Sequence, residues 1–150
     1  MNGPPVTLSV QRIVRAAPED IFTAITDPTR HAQMDATGVL RGALPREPLR
    51  EVGQRFVERL AFSTDEEHEC TGEVTRFVRG QSLECRSPSS GPQESGWRLR
   101  IDLDQLDELN SRVTLHFWWL DTVVEPRHAE RRFSSDHLAV ILDGIADAVE

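Results

Sequence analysis

Residues 97–119 read WRLRIDLDQLDELNSRVTLHFWW, and residues 135–149 read SDHLAVILDGIADAV. In the first stretch Trp97, Leu99, Ile101 and Leu103 alternate with Arg98, Arg100 and Asp102. After a polar turn at Asp107 to Asn110, Val113, Leu115, Phe117 and Trp119 alternate in the same way. Successive side chains of a strand point to opposite faces, so this period of two predicts paired antiparallel strands with one face buried. In the second stretch Leu138, Ile141, Leu142, Ile145 and Val149 recur at helical spacing, and Ser134 or Ser135 can cap the start. The change of period predicts a helix from about Ser135 to Val149, with Leu138, Leu142, Ile145 and Val149 largely buried against the sheet.

Upstream, the same two rules order the rest of the chain. Val6, Leu8, Val10 and Val14 share one face of a strand, with Arg12 among them. Pro18 suits a first helical position, and Glu19 and Asp20 suit the positive end of the helix dipole. Asp27-Pro28 ends that helix and opens another of about Thr29 to Met34. Gly38 to Gly42 reads as a brief strand, and Phe56, Leu60 and Phe62 alternate with Glu58 on their face. Thr71 to Val78 and Ser82 to Arg86 form a hairpin around Gly80, while Ser87 to Gly96 and Asp121 to Arg132 read as connections. Pairing about Gly80 sets Cys85 opposite Val74, about four residues of ~3.4 Å each from Cys70, so both cysteines are expected as free thiols. Strand, two short helices, six strands and a long helix make one α+β domain over residues 1–150.

Composition limits the function classes. The chain of 150 residues carries a net charge of −8 and a hydrophobic fraction of 38%. Acidic and basic residues are mixed throughout, which argues against nucleic acid, since that needs a clustered basic face. No apolar run approaches the ~20 residues of a membrane span, and the first residues lack the pattern of a signal peptide. A cytoplasmic protein is expected, and a homodimer is left open. The histidines show no zinc-ligand spacing, and no phosphate loop or nucleophile elbow is present, so no metal and no cofactor are expected.

The stretches Arg15-Ala16-Ala17-Pro18-Glu19-Asp20-Ile21-Phe22 and Ile25-Thr26-Asp27-Pro28, with the order of elements, resemble the START-like (SRPBCC) superfamily. That group includes polyketide cyclases and dehydrases, lipid-transfer domains and pollen-allergen-type carriers. His31 to Gly42, with Asp35, Gly38 and Arg41-Gly42, further resembles a bacterial subgroup of unsettled function. The resemblance implies a helix-grip fold: a curved seven-stranded antiparallel sheet wraps the C-terminal helix, two short helices close one end, and a ligand cavity lies between.

Within that frame the candidate ligand-binding residues are Arg12, Phe56, Glu58, Leu60, Trp97, Leu99, Phe117, Trp119, Leu138 and Leu142. Arg12 and Glu58 stand out because a polar group on an apolar strand face must find a partner. Either they anchor a ligand, or they form an internal ion pair or reach water. Glu58, Asp35 and His31 are the candidate proton-transfer groups, while Asp35 can equally cap a turn. His116 and Trp118 fall on the outward face. The expected partner is a small hydrophobic or aromatic, polyketide-like molecule. The alternatives are a polyketide cyclase/dehydrase-like enzyme using a cavity acid or base, and a protein-interaction module resembling heat-shock chaperone activators.

Overall fold

A computed structural model describes residues 6–34, 40–44, 46–60, 68–86, 97–119 and 135–150. The strands are β1 (Val6–Val14), β2 (Leu40–Leu44), β3 (Arg55–Leu60), β4 (His68–Val78), β5 (Ser82–Arg86), β6 (Trp97–Gln105) and β7 (Ser111–Trp119). The helices are α1 (Pro18–Ile25), α2 (Pro28–Met34) and the C-terminal α3 (Ser135–Val149). The strands form one curled, fully antiparallel sheet in the order β1-β7-β6-β5-β4-β3-β2. It is the α+β architecture expected from the period change and the helix-grip arrangement that the resemblance implied, with α3 running over the span read from its apolar spacing.

Register explains which side chains make the core. Leu99, Ile101 and Leu103 lie opposite Phe117, Leu115 and Val113, and Leu8 and Val10 lie opposite Phe117 and Leu115. All of these face the concave side, where Val113, Leu115 and Phe117 are almost wholly buried. Each such side chain stabilises the fold by about 1.5–3 kcal/mol relative to leaving it in water. Leu138, Leu142, Ile145 and Ala146 of α3 belong to the same core. Val149 is only half-buried, a departure from the reading of it as largely buried. It sits in the last turn of α3, where the helix ends and packing thins.

The β4–β5 hairpin carries an irregularity that simple alternation misses. Val74 pairs with Cys85 and Phe77 with Leu83, with a register shift between Val74 and Arg76. The extra residue, Thr75, lets Val74 and Phe77 face inward although they are an odd number apart. Phe77 then meets Phe22 of α1 edge to face, with ring centroids 5.1 Å apart. The Cys85–Val74 pairing is the one read from the turn at Gly80. Cys85 is a free, buried thiol, whereas the side chain of Cys70 lies outside the described residues.

Local chemistry fixes the two short helices. Asp27 accepts from the Thr29 amide at 3.0 Å and from its hydroxyl at 2.6 Å, capping α2, which begins at Pro28. The buried Ser111 hydroxyl donates to the Ala16 carbonyl at 2.7 Å and ties the start of β7 to the turn into α1. Helix α2 lies against α3 at a glycine. A Cβ built on Gly144 would stand 1.7 Å from the Met34 carbonyl oxygen. Only hydrogen in place of a side chain lets the two backbones come this close.

Candidate ligand-binding site

The concave face is built around β3 and β4 at one side and α3 at the other. Phe56 lies opposite Gly72, and a Cβ on Gly72 would fall 2.2 Å from the Phe56 ring. The ring therefore lies flat over the neighbouring strand instead of standing away from the sheet. Its edge meets His31 of α2, at a centroid distance of 6.3 Å and an interplanar angle of 79°. The Nε2–H of His31 donates to the Ile25 carbonyl at 2.7 Å, so only Nδ1 of this candidate remains for other chemistry. Phe56, Gly72 and His31 thus make a wall that joins sheet to short helix.

Glu58 is two residues along β3 and 7% exposed. Among the described residues it is the one acidic side chain that is buried. The Cys85 thiol is pushed well above its ordinary range by burial first, then by the negative charges of Glu58 and Glu84. This has two consequences. Cys85 is a protonated, unreactive core thiol and not a nucleophile. Glu58 also acts electrostatically on the same concave surface that Cys85 occupies.

Arg12 keeps the face its parity gives, opposite the buried Val113, but at the rim of that face. It sits on β1, an edge strand of the sheet, and its guanidinium turns to α3, reaching Asp143 at 2.7 Å and Glu150 at 3.5 Å. The side chain is 37% exposed and Asp143 63% exposed, so this is a rim ion pair. Of the alternatives open for Arg12, the structure has the side chain that reaches water: it leaves an edge strand toward acids at the surface. Phe117, Leu138 and Leu142 are buried and Leu99 half-buried on the shared inner surface. Asp35 and the side chains of Leu60, Trp97 and Trp119 lie outside the described residues. Among the described residues no three His, Cys, Asp or Glu side chains converge as a metal site, and no helix is long and apolar enough to cross a membrane.

Two features were not singled out from the sequence. Gly72 sets the angle of Phe56, and its only signal is a glycine inside a strand pattern. The outer face carries a polar network as well. Asp102 accepts from Ser82 at 2.6 Å and from Arg100 at 3.0 Å, and lies 3.4 Å from His116 Nε2. His116 stacks on Trp118 at 5.8 Å and 24°, which places both on the outward face read for them.

No family model matches the chain, and no curated protein does. Solved structures do match over nearly their full lengths. A protein from Chromobacterium violaceum is similar with a TM-score of 0.72 at 20% identity, covering 97% of this chain and 99% of its own. A START superfamily protein from Mycobacterium smegmatis has a TM-score of 0.71 at 11% identity, covering 95% and 96%. The Zhui aromatase/cyclase from a Streptomyces species has a TM-score of 0.68 at 12% identity, covering 94% of each chain. At such identities the likeness concerns the fold. The chain has the START-like (SRPBCC) helix-grip fold.

Proposed function

We propose that this chain is a cytoplasmic small-molecule binding protein that takes a hydrophobic, aromatic or polyketide-like ligand in a cavity between the concave sheet face and α3. The observation that carries this reading is Glu58, a buried carboxylate on a wall otherwise made of Phe56, Val74, Leu83 and Ile101. An apolar surface with one polar group is the common pattern of a small-ligand site, in which the apolar lining supplies affinity and the polar group supplies orientation. A carboxylate favours a ligand hydroxyl that can donate to it, such as a phenol. The aromatase/cyclase and START neighbours support a ligand of this general kind without assigning it. The free thiol of Cys85 accords with a reducing compartment.

The test uses 2-naphthol as a neutral, hydroxylated aromatic probe, followed by calorimetry. Glu58→Gln should leave the fold intact and weaken the probe about tenfold or more, the usual worth of a hydrogen bond to a charged group. Equal affinity in the two proteins would remove Glu58 from the site.

A further inference from the structure

The convex face of the sheet holds an arrangement that ligand binding on the concave side does not use. Glu73, Arg86, Arg98 and Trp118 occupy one cross-strand row over β4, β5, β6 and β7. Arg86 and Arg98 are therefore directly opposite each other. Like charges in this relation repel, whereas opposite charges across strands stabilise. Here the Nε atoms of both arginines are sealed from solvent and have no hydrogen-bond partner among the described residues.

The neighbouring acids among the described residues are committed elsewhere. Glu73 is engaged by Arg55 at 3.3 Å. Glu84 comes no nearer to Arg98 Nε than 4.0 Å, and its other oxygen accepts from the Thr75 hydroxyl at 2.9 Å. The next row shows what a satisfied arginine on this face looks like. Arg100 Nε reaches Asp102 at 3.0 Å, and Arg76 Nε donates to the Ser82 hydroxyl at 3.0 Å. Two opposed, half-buried guanidinium groups whose Nε atoms lack such partners are a local inversion on a chain whose net charge is −8.

We propose that Arg86 and Arg98 form an oxyanion-binding site on the outer sheet face, taking a phosphate or carboxylate group of a small molecule. Planar guanidinium groups present paired N–H donors that match the oxygens of such groups, and one anion between the two relieves both the repulsion and the unmet donors. Trp118, opposite Arg98 on the adjacent strand and already stacked with His116, borders the site with an aromatic surface. This site does not depend on the concave-face reading.

The experiment follows the Nε–Hε resonances of the arginines by NMR while the full chain is titrated with inorganic phosphate, and separately with acetate, at constant ionic strength set by sodium chloride. Arg86 and Arg98 should shift together and saturate, with Arg112 unmoved, and Arg86→Gln should weaken the response of Arg98 about tenfold. The stronger of the two titrants identifies the oxyanion class. Two results would overturn the proposal: shifts that stay linear and spread over all arginines, as for a screening ion, or saturation unchanged in both Arg86→Gln and Arg98→Gln.

Discussion

Replacing Gly144 by alanine probes the contact that closes α2 onto α3. The new Cβ would lie 1.7 Å from the Met34 carbonyl oxygen, 2.6 Å from its carbonyl carbon and 3.1 Å from its Cα. A relaxed contact needs about 3.5 Å, so the backbones must separate by roughly 1.5–2 Å. No flexible side chain can give way, because the obstructing atoms are main chain. Withdrawing α2 also disturbs Met34 and Pro28, both buried, and the His31 contact with Phe56. Overpacking of this kind costs typically 1–3 kcal/mol and here belongs at or above the upper end. Alanine returns about 1 kcal/mol in helix propensity. The expected net loss is about 2 kcal/mol, a fall of about 4–8 °C in Tm for a chain of this size. Urea unfolding should show a lower midpoint with an unchanged slope. A variant as stable as the parent, or more so, would refute the packing of α2 on α3.

Other perturbations follow from the same geometry. Because Cys85 is held protonated in the fold, its folded pKa stands above the unfolded value, so its contribution is present below about pH 8.5 and is lost as pH rises beyond it. The sequence has neither tyrosine nor lysine to obscure this limb. Wild type should therefore lose stability between pH 9 and 10 more steeply than Cys85→Ala, by up to about 1.4 kcal/mol per pH unit, and parallel curves would contradict the burial of a neutral thiol. For Asp102, burial works to raise its pKa, but the hydrogen bonds from Ser82 and Arg100 and the charges of Arg100 and His116 outweigh it and hold it below the usual range. Its contribution is thus present above about pH 4 and lost as pH falls through the depressed value; Asp102→Asn should cost about 1 kcal/mol at pH 7 in chemical unfolding, a gap that narrows as the pH is lowered through that value. Arg12→Met should cost under about 1 kcal/mol in the same assay, as for other solvent-exposed ion pairs, and a loss near that of a buried pair would contradict its position at the rim.

Much of the fold was legible because the burial it requires is periodic. The alternation in 97–119 predicts the β6–β7 ladder, Asp27-Pro28 predicts the break between α1 and α2, and the turn at Gly80 predicts Cys85 opposite Val74. What escaped has physical causes of two kinds. A bulge at Thr75 changes strand parity without changing composition, and plain alternation from Val74 would turn Phe77 outward. Tertiary approach is invisible to local pattern: nothing near Gly144 announces Met34, and nothing near Gly72 announces the Phe56 ring. Arg12 shows what facing rules leave open: it points to the concave side as its parity says, but on an edge strand its long side chain ends at the acids of α3 on the rim and not inside. Glu58, shorter and on β3, stays where its parity puts it.

The central claim is that a small aromatic molecule binds on the concave face, between the sheet and α3. Methyl-resolved NMR during titration with 2-naphthol tests it most directly, because leucines mark both surfaces. The account predicts saturable shifts at Leu99, Leu138 and Leu142, which line the inner face, with Leu106 and Leu109 of the exposed β6–β7 turn unmoved. Saturable shifts confined to Leu106 and Leu109, or no saturable shift at any inner methyl up to the solubility of the probe, would contradict it.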